Sequence, residues 1–155
     1  MQNRKSIRLK TYNYAHDGVY FVTLCVAGRQ QRLSHIEDSM VELSREGAVV
    51  EEGLRELSST YSYVTLDAFV IMPDHLHILL QIDAKDSLQK VKPLGQLIGA
   101  FKVTTTKRIR HVNQFDALNE PFRWQRNFYE RVVRDEIELN TLRAYIDTNP
   151  SRWKA

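Results

Sequence analysis

Apolar residues along this chain recur at two spacings, and the alternation between them predicts the elements. "GVYFVTLCVAG" (18–28) is bounded by glycines and rich in β-branched and aromatic residues, which predicts a strand. Met40, Leu43, Val50, Leu54 and Leu57 then follow a helical spacing. That helix starts at Ser39, with Glu42 completing a capping box, or at Ser44. "YVTLDAFVIMP" (63–73) predicts a second strand halted by Pro73, and "HLHILLQI" (75–82) a third that runs back after a tight Pro73–Asp74 connection. Leu94, Leu97, Ile98, Phe101, Thr105 and Ile109 make the buried stripe of a helix over 93–112. "FRWQRNFYERVV" (122–133) predicts a fourth strand, and a last helix runs from Asp135, paired with Glu138, to just before Pro150. The order β-α-β-β-α-β-α is that of an α+β fold: a ferredoxin-like or RRM-like four-stranded antiparallel sheet, two helices on one face, and an added C-terminal helix.

The third strand carries an unusual pair. Alternate residues of a strand point to opposite faces, so Leu76, Ile78, Leu80 and Ile82 form one apolar face. His75, His77 and Gln81 share the other with Leu79. Two imidazoles side by side can be adjacent metal ligands, or simply polar residues on the exposed side of a half-buried strand. The added helix lies free to cover that second face. On it Tyr145 and Asn149 are four apart, hence neighbours on one helix face, with Leu142 and Ile146 as anchors. Facing a histidine pair, they suggest a nucleophile and a third ligand. Equally, Tyr145 reads as a packing residue and Asn149 as a C-cap ahead of Pro150.

Composition narrows the setting. The chain has 155 residues, 43% hydrophobic and 26% charged, enough for one domain with a proper core. No apolar run reaches the roughly 20 residues of a membrane span, and "MQNRKSIRLKTYNY" has no apolar core of a secretory signal. The single cysteine, Cys25, excludes an intramolecular disulfide and reads as a small buried residue; the expected location is the cytoplasm. The net charge of +3 is modest but segregated. Residues 1–16 and 87–114 carry bases and no acid, while acids gather between Glu37 and Glu56. A one-signed surface attracts a polyanion, although a solvated lysine-rich face reads the same way.

Four stretches taken together, "FVIMPDHLHILL", "LIGAFKVTTTKRIR", "WQRNFYERVVRDEIELNTLRAYIDTNPSRW" and "RKSIRLKTYNYAHDGVYFVTLCV", resemble the REP-associated tyrosine transposases. These belong to the single-tyrosine HUH superfamily, and the similarity runs in order over nearly the whole chain. The resemblance implies a single HUH transposase domain over 1–155, with a basic arm at 1–17 and a tyrosine-bearing helix at 135–149. It implies a single-stranded DNA endonuclease and strand transferase acting on hairpin-bearing DNA through a 5′-phosphotyrosine. His75 and His77 match the HUH pair, Tyr145 the nucleophile, and Asn149 the third metal ligand; the expected ion is Mg²⁺ or Mn²⁺.

Candidate DNA contacts are Arg4, Lys5, Arg8 and Lys10 on the arm, Lys102, Lys107, Arg108 and Arg110 around the second helix, and Arg123, Trp124 and Arg126. Basic side chains would track phosphates and aromatics stack on bases, with Trp124 equally a core residue. Tyr129 is a rival nucleophile. Two other classes stay open: a non-catalytic single-stranded nucleic-acid binding module, and an HxH metallohydrolase, which needs ligands that His16, His35 and His111 do not form as any recognisable motif. The relatives imply a monomer, or a homodimer that exchanges the tyrosine helix.

Overall fold

A computed structural model describes residues 17–85, 87–116 and 120–154. The basic arm, with Arg4, Lys5, Arg8 and Lys10, lies outside the described residues. Strand β1 (Gly18–Cys25) leads into a short 3-10 turn (Ala27–Arg29), then β2 (Ser34–Glu37), β3 (Met40–Leu43) and helix α1 (Arg45–Thr60). Strands β4 (Val64–Ile71) and β5 (His75–Ile82), helix α2 (Leu94–Val112), β6 (Tyr129–Val133) and α3 (Glu136–Thr148) follow, and a 3-10 turn (Asn149–Arg152) ends the series. The main sheet has the antiparallel order β4-β5-β1-β6, the expected fold. Among the described residues no helix is long and apolar enough to cross a membrane.

The two faces of β5 divide the protein. Leu76, Ile78, Leu80 and Ile82 are buried in a core with Val50, Leu54 and Leu57 of α1 and with the whole predicted stripe of α2, from Leu94 to Phe101 and Ile109. Leu79 faces the other way, into a smaller cluster with Val19, Phe21, Val70, Met72, Val133, Leu139 and Ile146. α3 therefore covers the face that bears the histidines. Its N-terminus is fixed where the sequence places it: Asp135 accepts from the Glu138 N–H at 2.7 Å, and Glu138 accepts from the Arg134 N–H at 2.8 Å. A bulge in β4 at Asp67 presents that carboxylate to α3, where Arg143 holds both oxygens at 2.9 and 2.6 Å.

Two elements differ from expectation. Residues 34–43 form a hairpin, not a helix start, so Met40 is exposed on β3. Asp38 and Ser39 both take positive φ, as a two-residue primed turn demands. Ser44 is the helix cap, accepting from the Gly47 N–H at 2.9 Å. The fourth strand is shorter than 122–133. Trp124 forms one isolated bridge with Val26, and regular pairing begins only at Tyr129. Between them, the Lys102 ammonium binds the free carbonyls of Gln125 and Arg126 at 2.7 and 3.0 Å.

The start of α1 also braces the histidine strand. Leu33 donates its N–H to the Pro73 carbonyl at 2.9 Å and accepts at its own carbonyl from Ser44. A Cβ on Gly47 would lie 1.9 Å from that Leu33 carbonyl oxygen, whereas one on Gly95 of α2 would meet nothing within 4 Å. Gly47→Ala is therefore expected to lower unfolding free energy by about 3 kcal/mol through overpacking. Gly95→Ala is expected to raise it by roughly 0.4–1 kcal/mol. Urea unfolding of the two variants checks both signs.

Candidate active site

Cross-strand register assembles the site from neighbouring rows. His77 of β5 stands opposite Thr23 of β1 and Val70 of β4, and Thr23 stands opposite Tyr129 of β6. His75 stands opposite Cys25. Directly opposed residues share a sheet face, so both histidines, Cys25, Thr23 and Tyr129 lie on the α3 side. The two imidazoles meet edge to face with centroids 4.7 Å apart.

Each ring is oriented through Nδ1. His75 Nδ1 is 2.6 Å from Asp74 Oδ1, and Asp74 Oδ2 accepts from Arg29 Nε at 3.1 Å. His77 Nδ1 is 2.7 Å from the Thr23 hydroxyl. Among the described residues neither Nε2 has a hydrogen-bond partner. Asp74 thus belongs to the site, although the sequence shows it only as half of a Pro-Asp turn. Burial alone would raise its carboxyl, but the bonds from His75 and Arg29 outweigh burial and hold it below the usual carboxylate range.

α3 brings Tyr145 over this pair. Its ring centroid lies 5.3 Å from His77 and 6.1 Å from Phe21, which itself stacks on His77 at 5.2 Å. The Tyr145 side is 41% exposed, so the phenol borders both the histidine and solvent. The Arg152 guanidinium covers its ring at 4.7 Å and donates to the Tyr145 carbonyl at 3.1 Å. Trp153 then passes His75, with ring centroids 6.5 Å apart. Asn149, one turn beyond Tyr145 in sequence, is buried and has no side-chain hydrogen-bond partner among the described residues. It is also the C-cap residue of α3, the alternative the sequence leaves open, with a right-handed helical backbone and its N–H on the Ile146 carbonyl. A buried amide without a partner costs about 1–3 kcal/mol, a cost that a ligand would remove.

Burial, together with the neighbouring His75, Arg152 and Arg29 charges, pushes the His77 pKa down from the usual 6.5 to about 3. An unfolded His77 takes up a proton near pH 6.5 while the folded ring resists until about 3, so stability falls as the pH drops through that window. Between pH 7 and pH 5 the loss amounts to about 2 kcal/mol. Asp74, held low when folded, adds its own loss only below about pH 4. In a chelator, urea unfolding at pH 7 and pH 5 should show this loss in the wild type and not in His77→Gln.

The basic candidates separate into two groups. Lys107, Arg123 and Arg126 line one groove of about 370 Å³ beside Trp124, together with Lys102, whose ammonium is held by the Gln125 and Arg126 carbonyls. Arg108 pairs with Glu56 at 2.9 Å, and Arg110 donates to the Phe122 carbonyl, so both serve the fold. Trp124 is buried with its indole N–H on Thr105 at 3.0 Å, a core placement that leaves its face closed to a stacking base. Residues 123–125 pair with the end of β1, Ala27 N–H donating to the Arg123 carbonyl and Gln125 N–H to the Cys25 carbonyl, and the groove is walled by α2, which packs on the sheet face opposite the histidines. A groove of about 930 Å³ between α3 and β4 includes neither histidine nor Tyr145.

Known proteins resemble this chain over most of its length. A Haemophilus influenzae protein without a functional name is 33% identical over 99% of this chain and 92% of its own length. A second protein from that organism, whose name assigns it to the REP-associated tyrosine transposases, is 27% identical over 89% of this chain and 75% of its own. The structure of a REP-associated tyrosine transposase bound to a REP hairpin superposes with a TM-score of 0.63 at 17% identity, covering 90% of this chain and 70% of that one. A transposase-like crystal structure from Deinococcus radiodurans gives 0.56 at 20%, covering 86% and 92%. The model of the IS200-like transposases matches residues 15–149, and the chain belongs to that family.

Proposed function

We propose that this chain nicks and rejoins single-stranded, hairpin-bearing DNA, with Tyr145 as nucleophile. The observation that carries the reading is the approach of the Tyr145 ring to 5.3 Å from His77, at a histidine pair whose Nδ1 atoms are both engaged. The relative solved with a REP hairpin supports the substrate class, as does the basic groove lined by Lys107, Arg123 and Arg126. An RRM-type binding module would need its sheet face open; here α3 covers it, with Leu139 and Ile146 buried on Phe21 and Leu79.

The residues present fit a divalent cation, Mg²⁺ or Mn²⁺. In the tautomers that carry the proton on Nδ1, toward Asp74 in His75 and toward Thr23 in His77, each Nε2 keeps a lone pair, and the carboxylate–histidine arrangement is the usual support for a metal ligand. The buried Asn149 amide is the third donor. When bound, the cation polarises a non-bridging oxygen of the scissile phosphate and balances charge in the transition state. The protein's own part is placement. Phe21 and Arg152 fix the phenol ring from two sides, and His77 stays neutral because it is buried.

The Tyr145 phenol gives its proton to water and attacks phosphorus. The P–O3′ bond breaks, the departing oxygen is protonated to a 3′-OH, and the 5′-phosphate remains on Tyr145. Attack by another 3′-OH reverses the step and restores the phenol, so no nucleotide cofactor is required. The test is incubation with hairpin-bearing single strands and Mn²⁺. A denaturation-resistant protein–DNA adduct plus a free 3′-OH fragment is expected; binding without either product would favour a non-catalytic module.

A further inference from the structure

We propose that Arg29 is a phosphate-binding residue of this site, an arginine aimed by Asp74 at the DNA backbone. The inference rests on the nicking reading for its substrate, but its geometry is independent of the tyrosine. Arg29 spends one donor inside the protein: Nε on Asp74 Oδ2 at 3.1 Å. Neither Nη has a partner among the described residues, and the side chain is 54% exposed. A guanidinium held at Nε presents its two Nη groups outward as a planar pair, the geometry that grips two oxygens of one phosphate.

The backbone holds Arg29 there at a cost. Gly28 and Arg29 take consecutive left-handed conformations, φ 69° and 52°, and Arg29 is a residue with no intrinsic preference for that region. The turn is pinned on both sides, by Arg29 N–H to the Val26 carbonyl and Ala27 N–H to the Arg123 carbonyl, while the Val26 N–H donates to the Asp74 carbonyl. Strain retained at such a place suggests a side chain that must point one way. Charge argues in the same direction. Among the described residues Asp74 is the only carboxylate bonded to either imidazole or to Arg29 or Arg152. Two guanidiniums and one carboxylate leave the site net positive even before a cation is added, and a phosphodiester supplies the missing negative charge. The turn that carries Arg29 also pairs with Arg123, one of the basic residues at that end of the sheet. A strand leaving the cut site along that end of the sheet passes it.

The experiment uses the full chain, a hairpin-bearing oligonucleotide and three variants: Arg29→Ala, Arg29→Lys and, as a matched loss of charge beyond the far end of β5, Lys85→Ala. Binding is measured in EDTA across a salt series, and Mn²⁺ affinity separately. Arg29→Ala is expected to weaken DNA binding by about tenfold and to lower the slope of log affinity against log salt by about one, with Mn²⁺ affinity within about twofold of wild type. Arg29→Lys keeps the charge without the fork, so it should restore the slope but not the cutting rate. Lys85→Ala should change neither. Unchanged DNA affinity and slope in Arg29→Ala would overturn the proposal even if cutting were lost, because Arg29 would then act only through Asp74 on His75. Should the wild type bind DNA and never cut it, the nicking reading fails while the affinity and slope still decide Arg29.

Discussion

Tyr145→Phe is expected to reduce strand cutting and adduct formation to background while leaving the fold and DNA binding intact. The substitution removes one oxygen atom from a ring that is 41% exposed and whose hydroxyl has no hydrogen-bond partner among the described residues. Stability should therefore move by less than about 0.5 kcal/mol. Phenylalanine keeps the edge contact with Phe21 and the face that Arg152 covers. What disappears is the oxygen proposed to form the covalent link. Tyr129→Phe is the matched control. Tyr129 shares the sheet face, but it lies two strands from His77 across Thr23, roughly 10 Å at ordinary strand spacing. Cutting should persist in that variant. Gel analysis of hairpin oligonucleotides under Mn²⁺ reads both.

Loss of an imidazole is expected to abolish the cation requirement together with the activity. His75→Ala is the cleaner of the two replacements, since His77 stacks on Phe21 and its removal would also open a cavity. The effect should exceed that of Asp74→Asn, which keeps both imidazoles but withdraws the carboxylate behind His75. Loss of such an outer partner typically weakens metal affinity by about 10–100-fold. Asp74→Asn should accordingly recover cutting at raised Mn²⁺, whereas His75→Ala should not. Mn²⁺ binding followed by electron paramagnetic resonance separates the two. Equal binding in wild type and His75→Ala would remove the imidazole pair from the account.

Much of the arrangement is legible in the residue pattern, for identifiable reasons. Strict alternation in "HLHILLQI" assigns its two faces, because a strand offers no other choice, and the α2 stripe is buried residue for residue. The Asp135–Glu138 pair marks the α3 start because its capping chemistry is local. The hairpin at 34–43 escapes because Asp38-Ser39 lacks the glycine that usually betrays a primed turn, and Met40 and Leu43 mimic a helical stripe. Trp124 reads in sequence as a core residue or a nucleic-acid platform, and only the fold, which buries it with its indole N–H on Thr105, chooses between them. Asp74 and Arg29 are invisible for a different reason. One looks like a turn residue and the other a surface base, and their link to His75 exists only once β1 and β5 pair.

In the proposed reaction α3 delivers the attacking oxygen. Tryptic mapping of the protein–DNA adduct addresses it without any substitution, since cleavage after Arg143 and Arg152 isolates residues 144–152, with Tyr145 as its single tyrosine, and cleavage after Arg126 and Arg131 isolates residues 127–131, which carry Tyr129. The nucleotide mass is expected on Tyr145 in the first peptide. Its appearance on Tyr129, or on any residue outside α3, would contradict the claim.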